Sequence, residues 1–481
     1  MTQDTPTFRE RLRGFRRVTV MGLGLFGGGV GAACYFSDLG ARLVVTDLAP
    51  AEKLGASLAR LEGRDIEFRL GGHRMRDFTG TDLVVANQVV RPDNRYLAAA
   101  RANGIPVLTE TGIALALNRS PWAAVTGSAG KSTTAALLAA MLVRHDPNTM
   151  FGGNIGGDLI TRIETQPAAS PVVVELSSFQ LIHIGHALLA GDIAPPAAAA
   201  VTNLSPNHLD WHLDAEEYYQ CKRKLILAQR PGGAAVLNVD DPLLAGWARE
   251  APGRVIRCAL ADPGGDDACF VDGGRIALRL SGSAAAEIPL GILRPRGRHN
   301  IVNAVQATAA AFAVTGDAKP VADGLAAFPG LPHRMETAAT AAGRTFVNDS
   351  KCTTPEAAIL ALEAVEEAKV LIAGGYDKRA PFDELGRAVQ KRAHGLVLIG
   401  AAAGRLRRAV LDAEADRDPG LGKLGIIDAG GDFGKAVREA FRLCPVGGVV
   451  LLSPACASWD MFRNYEERGE KFRALAVGLG R

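Results

Sequence analysis

The chain has 481 residues, more than the roughly 250–300 residues at which a single hydrophobic core stops growing, so several domains are expected. Hydrophobic residues make up 48% and charged residues 22% of the sequence, which is typical of a globular protein and excludes a disordered or fibrous chain. The formal net charge is only +3, and no lysine and arginine cluster recurs beside aromatic residues. Nucleic acid is therefore not an expected partner.

The sequence contains neither a recognisable targeting signal nor a paired cysteine motif. The N-terminal segment is charged, and no run of about 18 apolar residues occurs in the chain, so we expect no membrane partner and a cytoplasmic location. The seven cysteines are scattered without CxxC pairing. Their pattern predicts neither a disulfide framework nor a zinc site.

The first segment reads as a strand, a glycine turn and a helix. An apolar strand over 17–21 leads into GLGLFG at 22–27, and a second strand ends at Asp47, where a Rossmann unit places an acidic ribose ligand. Further strands are predicted over 83–85 and 106–108. A lone GxGxxG is also typical of a tight turn that packs a helix on a strand, so any diphosphate-bearing nucleotide fits this pattern.

The second segment continues the alternation of strand and helix. Strands are predicted over 122–125, 172–174 and 199–202, and a strong helix over 134–143. This alternation indicates a mostly parallel sheet that is covered on both faces. Between 264 and 282 the glycine and aspartate content rises, which predicts the turns of a small β-rich insertion.

The third segment follows FPGLP at 328–332, which is typical of a linker. Strands are predicted over 345–347, 370–372 and 448–452, with a helix over 355–367. The pattern predicts a third α/β domain.

A phosphate-binding loop occupies 127–133 (GSAGKST), between a strand and a helix. Its two glycines let backbone N–H groups converge on phosphate oxygens, Lys131 adds a positive charge, and the Ser132 hydroxyl is placed to ligate Mg²⁺. Val125 stands where the usual motif has its first glycine, so the loop has the shorter form TGxxGK[ST]. The flanking strand and helix disfavour an accidental glycine-rich turn. The residues predicted to bind ATP here are Gly127, Ser128, Ala129, Gly130, Lys131, Ser132 and Thr133.

Five further segments extend the pattern beyond a general ATPase: GNIG at 153–156, ELSSFQ at 175–180, NLSPNHLD at 203–210, GRHNIVNA at 297–304, and LPHRME at 331–336. Together with the phosphate loop they resemble the Mur ligases of peptidoglycan synthesis, in the same order and over nearly the whole chain. NDSKCT at 348–353 and LSPACASWD at 452–460 resemble the members that add glutamate.

The resemblance implies an α/β protein with three domains. These are an N-terminal Rossmann-like domain that binds UDP (1–118), a central P-loop ATPase-like domain whose parallel sheet carries a small β insertion (119–329), and a C-terminal Rossmann-like ligase domain (330–481). The implied reaction joins D-glutamate to UDP-N-acetylmuramoyl-L-alanine through an acyl phosphate made with ATP. The expected protein is a monomer that handles small-molecule substrates.

The same resemblance implies two Mg²⁺ sites and three catalytic residues, Lys131, His208 and Lys222. The metal ligands would be Ser132, Glu175, His208 and a carbamylated Lys222. Carbamylation requires a neutral amine, hence a lysine whose pKa is lowered by its surroundings. Without the resemblance, Glu175 reads as an exposed carboxylate at a strand end, His208 as a hydrogen-bonded loop residue, and Lys222 as a solvated helix residue.

Three further residue sets are carried over by resemblance. Additional ATP contacts are assigned to Asn300, Asn303, Arg334 and Asp349. Contacts with the UDP substrate are assigned to Leu25, Phe26, Asp47, Asn154 and Ser177. Contacts with the incoming glutamate are assigned to Lys351, Thr353, Lys378, Ser458 and Tyr465, since two carboxylates require cationic and hydroxyl donors.

Two departures keep alternatives open. The segment 86–94 lacks the SPG-containing loop common in the N-terminal domain, which leaves the UDP-muramoyl contacts open. Thr354 stands where asparagine is usual in the glutamate pocket, so a ligase for L-glutamate is a variant to consider. A folylpolyglutamate synthase shares the ATPase chemistry but lacks a UDP-binding domain. A nicotinamide-dependent dehydrogenase leaves the phosphate loop unused, and the intact set of Lys131, Glu175, His208 and Lys222 argues against a catalytically silent binding protein.

Overall fold

The computed structural model describes residues 7–24, 28–281, 283–295 and 297–480, with the side chains of 283–285 left out. Three sheets follow one another along the chain, with five, nine and six strands. The chain divides into two compact units, Met1–Ile292 with Val302–Ala327 and Leu293–Ile301 with Phe328–Arg481. The first two sheets belong to the first unit and the third sheet to the second.

The first sheet is parallel throughout, in the strand order β3-β2-β1-β4-β5. Its strands are β1 (Arg17–Met21), β2 (Arg42–Asp47), β3 (Ile66–Leu70), β4 (Leu83–Ala86) and β5 (Val107–Leu108), and its helices are α1 (Phe8–Gly14), α2 (Gly28–Asp38), α3 (Gly55–Ala59), α4 (Met75–Thr79), α5 (Arg95–Ala102) and α6 (Glu110–Leu117). A Cβ on Gly29 would overlap the Gly22 carbonyl oxygen, so α2 packs directly against the turn after β1.

The second sheet has the order β14-β13-β12-β11-β10-β9-β6-β8-β7, and all neighbours from β7 to β12 are parallel. Its strands are β6 (Trp122–Thr126), β7 (Met150–Gly153), β8 (Val172–Glu175), β9 (Ala198–Val201), β10 (Ala234–Asn238), β11 (Arg254–Cys258), β12 (Ala268–Asp272), β13 (Arg275–Leu280) and β14 (Ser283–Pro289). Its helices are α7 (Lys131–His145), α8 (Ser178–Ala190), α9 (Ala215–Leu227), α10 (Pro242–Trp247), α11 (Arg298–Thr315) and α12 (Ala318–Ala327). The central strands are apolar and fully buried, because helices cover both faces of a parallel sheet.

The third sheet has the order β15-β16-β20-β17-β18-β19, and only β15 runs antiparallel to its neighbour. Its strands are β15 (Glu336–Ala341), β16 (Arg344–Asn348), β17 (Lys369–Gly374), β18 (Gly395–Ile399), β19 (Gly425–Asp428) and β20 (Val449–Leu452), and its helices are α13 (Pro355–Ala364), α14 (Asp383–Arg392), α15 (Ala403–Asp412), α16 (Phe433–Leu443) and α17 (Tyr465–Gly478). Because β16, β20 and β17 are parallel neighbours, the loops after them emerge at one edge of the sheet.

The predicted α/β class with three successive sheets is confirmed. The β-rich insertion is also found, and it extends the central sheet as two antiparallel strands at its edge. The helix predicted over 355–367 ends at Ala364, because the backbone of Val365 is extended. The boundaries after residues 118 and 329 stay predictions. None of the described helices combines the length and apolarity that a membrane crossing requires.

Candidate active site

The phosphate loop connects β6 to α7, as the sequence predicts. Gly130 precedes the helix in the left-handed conformation (φ 79°), and Gly127 has φ 141°. A Cβ on Gly127 would overlap the Thr202 hydroxyl oxygen, and one on Gly130 would overlap the Asn303 side-chain oxygen. Both positions therefore require glycine for space as well as for backbone conformation. The N-terminus of α7, which begins at Lys131, is directed at the loop and favours an anion there.

The loop that follows β9 holds the phosphate loop in place. The Asn203 side chain accepts a hydrogen bond from the Ala129 amide (2.9 Å) and donates one to the Ala129 carbonyl oxygen (3.1 Å). The Tyr218 hydroxyl donates to Ser128 Oγ (3.0 Å), and Lys131 Nζ donates to the Ser128 carbonyl oxygen (3.0 Å). The loop is therefore preorganised by side chains from outside the motif.

Glu175 ends β8, which lies beside β6. The residue is fully buried, and its Oε1 accepts a hydrogen bond from Asn154 Nδ2 (2.8 Å). Its Oε2 has no hydrogen-bond partner among the described residues. The alternative reading of Glu175 as an exposed strand-end carboxylate is wrong. A buried carboxylate oxygen without a partner is costly, and a hard cation such as Mg²⁺ prefers a ligand of this kind.

Lys222 lies on α9 and is only 1% exposed, so the alternative of a solvated helix lysine is also wrong. Its Nζ lies 4.5 Å from the centre of the Tyr218 ring and makes one long hydrogen bond to Thr126 Oγ1 (3.4 Å). Burial and, to a smaller extent, the positive charge of Lys131 lower the pKa of Lys222 to about 7, and Cys221 and Glu175 oppose the shift. A neutral amine is therefore well populated near neutral pH.

His208 lies in the loop between β9 and α9 and has a left-handed backbone (φ 54°). Its ring packs against Phe179, with ring centres 4.8 Å apart. Partial burial lowers the pKa of His208, the charges of Lys131 and Lys222 lower it further, and Asp210 opposes them. The imidazole is thus kept neutral, as a hydrogen-bond acceptor or a metal ligand must be. His208, Lys131 and Lys222 are thus close enough for their charges to interact.

Asp349 and Arg334 lie together in the second unit. Asp349 is buried, and its carboxylate accepts hydrogen bonds from Ser453 Oγ (2.8 Å) and the Met335 amide (3.2 Å). Burial raises the pKa of Asp349 to about 6, although the Ser453 hydrogen bond and the Arg334 charge oppose the shift. Arg334 Nε is buried and has no hydrogen-bond partner among the described residues. Arg334 Nε is therefore a hydrogen-bond donor for which no described protein group serves as the acceptor.

The two asparagines predicted to contact ATP both lie on α11. Asn303 accepts a hydrogen bond from Thr134 Oγ1 (3.3 Å), which ties it to the helix that follows the phosphate loop. Asn300 lies in the first turn of α11, and its amide bonds to the Gly297 carbonyl oxygen (2.9 Å). Both side chains are buried.

The residues predicted to bind the UDP substrate lie on two different sheets. Asp47 ends β2 and accepts hydrogen bonds from the amides of Gly24 (3.2 Å) and Ala49 (2.8 Å), which fixes the glycine turn. Asn154 and Ser177 lie beside the central sheet, where Asn154 bonds Glu175 and Ser177 caps α8. Leu25 and Phe26 lie outside the described residues.

Two of the predicted glutamate-site residues line one cavity of about 130 Å³ in the second unit, namely Thr353 and Lys378. Lys378 Nζ also lies 5.0 Å from the centre of the exposed Trp459 ring. Lys351 Nζ lies 5.5 Å from the centre of the Tyr465 ring. Ser458, which is also buried, follows β20 at the same edge of the sheet.

Sequence reasoning missed one residue beside this cavity. Arg468 is completely buried on α17, and its guanidinium contacts the loops that carry Lys351 and Ser458. Its neighbours in the sequence are charged and predict a solvated helix face, so no local signal identifies it. Only the packing of α17 against the sheet shows its position.

Comparison with known proteins identifies the class of protein to which the chain belongs. A family model described as the Mur ligase middle domain matches residues 125–311, and one described as the Mur ligase glutamate ligase domain matches residues 333–456. The chain belongs to the Mur ligase family. A relative from Roseiflexus sp. (strain RS-1) is 40% identical, with 96% of this chain and 98% of the relative covered. A relative from Anaeromyxobacter dehalogenans (strain 2CP-C) is 39% identical over 97% of this chain and 98% of its own length. Both carry the name UDP-N-acetylmuramoylalanine–D-glutamate ligase.

Solved structures of more distant sequence share the fold. The UDP-N-acetylmuramate–alanine ligase MurC from Thermotoga maritima matches with a TM-score of 0.59 at 19% identity, covering 96% of this chain and 99% of that one. A MurF structure from Acinetobacter baumannii matches with a TM-score of 0.59 at 20% identity, covering 82% and 90%. A MurF ligase from Thermotoga maritima, solved in complex with ADP, matches with a TM-score of 0.53 at 17% identity, covering 91% and 95%.

Proposed function

We propose that this chain is the ATP-dependent ligase that joins D-glutamate to UDP-N-acetylmuramoyl-L-alanine, with release of ADP and phosphate. The observation that carries the proposal is a preorganised phosphate loop backed by two buried ionisable groups, Glu175 and Lys222. The names of the relatives that match nearly the whole chain support the identity of the substrates. The reaction belongs to the cytoplasmic synthesis of peptidoglycan precursors, and we expect a monomer with no membrane or nucleic-acid partner.

The chemistry of amide formation explains why these residue types are needed. A carboxylate resists attack by an amine, so ATP donates its γ-phosphoryl group to the carboxylate and an acyl phosphate forms. The amine then displaces phosphate through a tetrahedral intermediate. Gly127, Gly130 and the N-terminus of α7 hold the phosphates, while Lys131 stabilises the negative charge of the transferring group.

A magnesium ion fits the residues present at the end of β8. Glu175 Oε2 is buried without a hydrogen-bond partner in the described chain, and Ser132 stands at the second position of α7. When bound, Mg²⁺ would neutralise charge on the phosphates. The described residues contain no group of three or more histidine, cysteine, aspartate or glutamate side chains that could hold a metal alone. The site would therefore depend on phosphate oxygens as well.

A second cation would be held by His208 and by Lys222 as a carbamate. The lowered pKa of Lys222, about 7, supports this modification because only the neutral amine reacts with carbon dioxide. The carbamate carries a negative charge, so it would also replace an unfavourable buried cation with a group that attracts a metal. Mass spectrometry of a gently handled sample tests the modification directly, and an unmodified mass under carbon dioxide would contradict it.

The incoming amino acid has two carboxylates, and we assign it to the cavity lined by Thr353 and Lys378 with Lys351, Ser458 and Tyr465 nearby. Hydroxyl and ammonium donors of this kind bind carboxylates through charge-assisted hydrogen bonds. Arg334, Asp349, Asn300 and Asn303 are assigned to ATP. Asp47, Asn154 and Ser177 are assigned to the UDP substrate.

A phosphate-release assay tests the function. The purified chain is given ATP, Mg²⁺ and UDP-N-acetylmuramoyl-L-alanine, together with either D-glutamate or L-glutamate. We expect phosphate release that requires the UDP substrate and D-glutamate. Preference for L-glutamate would make the chain the L-specific variant, and no release with either isomer of glutamate would refute the proposal. Release only when a folate replaces the UDP substrate would indicate a folylpolyglutamate synthase.

A further inference from the structure

Arg468 is completely buried, yet its guanidinium is surrounded by neutral oxygen atoms. Nε donates a hydrogen bond to Ser350 Oγ (3.0 Å), Nη2 donates to the Ser350 carbonyl oxygen (2.8 Å), and Nη1 donates to the Cys456 carbonyl oxygen (3.1 Å). No carboxylate of the described residues lies within ion-pair distance of it. All three donor positions thus serve to hold other parts of the chain.

The charge of Arg468 is costly to bury. Burial lowers the pKa of Arg468 to about 10, although Asp460 and Asp349 attract the charge from farther away. The group still carries its positive charge at neutral pH. An apolar side chain of similar size usually fills such a position at lower cost, so a buried charge here points to a use for either the charge or the planar fork of donors.

The two loops that Arg468 joins both carry residues assigned to glutamate. Ser350 immediately precedes Lys351 in the loop after β16, and Cys456 lies two residues before Ser458 in the loop after β20. Ser350 Oγ also donates to the Tyr465 carbonyl oxygen (2.7 Å), which ties the first loop to the start of α17.

The backbone of a third loop passes close to the same guanidinium. A Cβ on Gly375 would lie 3.3 Å from Arg468 Nη1 and would overlap the Ala457 carbonyl oxygen, so the backbone after β17 packs closely here. The Tyr376 amide donates to that same carbonyl oxygen (2.9 Å). Lys378 follows two residues later. Arg468 therefore bonds directly to the loops after β16 and β20. The loop after β17 bonds to Ala457, which is next to the Cys456 acceptor.

We propose that Arg468 is a positioning residue for the incoming amino acid: its guanidinium fixes the loops after β16 and β20, the loop after β17 packs on the second of them, and its unneutralised charge lies beside a site that must hold two carboxylates. It touches no reacting atom in this scheme. The identity of the amino acid rests on the proposed function, whereas the fixing of the two loops does not.

Two substitutions separate the effect of the Arg468 charge from the effect of its planar set of hydrogen-bond donors. Arg468→Met removes both, and Arg468→Lys keeps a charge that cannot reach three acceptors. We expect Arg468→Met to raise the KM for glutamate at least about tenfold, to raise the KM for ATP less, because the loop after β16 also carries Asp349, and to leave the KM for the UDP substrate within about twofold. Arg468→Lys should give an intermediate KM, which a purely structural defect would not predict.

Lys369→Met is the matched control. Lys369 is also a buried cation of the third sheet, and its Nζ donates to the Leu362 carbonyl oxygen (3.2 Å), but it begins β17 at the end opposite the glutamate loops. Its substitution should lower the melting temperature without changing the KM for glutamate. If Arg468→Met behaves like Lys369→Met, with a lower melting temperature and an unchanged KM, Arg468 is a structural residue and the proposal is wrong.

Hydrogen exchange measured by mass spectrometry tests the loops without turnover. Compared with the unsubstituted chain, the backbone amides of Arg468→Lys should exchange faster in 349–353 and 454–458. The amides of β17 should exchange at the same rate in both chains. Ser350→Ala, which removes one acceptor, provides the same test if substitution of Arg468 prevents folding. Unchanged protection in both loops would overturn the proposal even if the chain proved inactive with glutamate, whereas an inactive unsubstituted chain with faster loop exchange in the variant would refute only the proposed function.

Discussion

In the proposed reaction, Lys131 and Lys222 have opposite requirements. Lys131, at the start of α7, would keep its charge to stabilise a transferring phosphoryl group, whereas Lys222 is 1% exposed, and burial and the charge of Lys131 favour its neutral amine. Two side chains of the same type therefore have different chemistry because of their surroundings alone.

Lys131→Ala is expected to reduce kcat/KM at least about a hundredfold, because it removes the charge that meets the phosphoryl group in the transition state. The initial rate of phosphate release over a series of ATP concentrations measures the effect. Lys319→Ala is the control, since the Lys319 side chain is 81% exposed and pairs with Asp323 four residues on. Near-normal turnover in Lys131→Ala would contradict the role given to the phosphate loop.

Asp349 makes stability depend on pH in an unusual direction. Its pKa is about 6 in the folded chain because it is buried, above the value of an unfolded aspartate, so the folded state binds a proton more readily between these values. Stability from this group is therefore greatest at low pH and decreases as pH rises to about 6.

Asp349→Asn should raise stability above pH 6 by up to about 3 kcal/mol, since a difference of one in pKa between the folded and unfolded chain corresponds to about 1.4 kcal/mol. The gain should shrink as pH falls toward about 4. Denaturant unfolding at several pH values measures it. Asp432→Asn is the control: Asp432 caps α16, and its hydrogen bond from the Lys435 amide lowers the pKa of Asp432, so this variant should lose stability at neutral pH. A gain for Asp349→Asn that is independent of pH would contradict the argument.

At the scale of elements, the phosphate loop depends on a neighbouring strand as much as on its own motif. The backbone at Gly127 passes so close to Thr202, at the end of β9, that no side chain fits between them. Asn203 then holds the loop through the backbone of Ala129. The parallel pairing of β6 with β9 produces both contacts, so the loop is shaped by the sheet.

Gly127→Ala should therefore raise the KM for ATP at least about tenfold and cost about 2–4 kcal/mol of folding free energy, because the loop has to move away from Thr202. Gly104→Ala is the control. Gly104 also has a positive φ, of 70°, but a Cβ there meets nothing within 4 Å, so it should cost about 1 kcal/mol and leave the KM for ATP unchanged. Equal effects of the two substitutions would show that backbone conformation, not the close contact, matters.

At the scale of the molecule, the segment 86–94 that departs from the family pattern connects the first two sheets. Arg91 donates to the Trp211 carbonyl oxygen (2.6 Å), forms two 3.2 Å contacts with the Glu217 carboxylate, and lies over the Trp211 ring. Trp211 Nε1 in turn donates to the Val89 carbonyl oxygen (2.8 Å). These contacts join the N-terminal sheet to the loop that contains His208.

A double-mutant cycle on Arg91→Met and Glu217→Gln is expected to give a coupling energy of about 1 kcal/mol, since both side chains are 23% exposed and the pair is partly shielded from water. Denaturant unfolding of the four chains measures it. Lys319→Met with Asp323→Asn supplies a solvent-exposed pair for comparison, where about 0–0.5 kcal/mol is expected. Coupling at Arg91 no larger than in this pair would mean that the connection contributes nothing to stability.

Much of the fold was predictable because its signals are local. The strand–turn–helix pattern at 122–143, the linker at 328–332 and the alternation of strands with helices predict the three sheets in their correct order. The parts that were not predictable depend on long-range pairing, such as the attachment of β13 and β14 to the edge of the central sheet.

The candidate site divides in the same way. The sequence by itself determined the phosphate loop and the family, because their motifs are contiguous and their order is read directly along the chain. Only the tertiary structure decided that Glu175, Lys222 and Arg468 are buried, which overturned the solvated readings of the first two and identified the third. Burial and the resulting pKa shifts arise from neighbours that are distant in sequence, so no local pattern determines them.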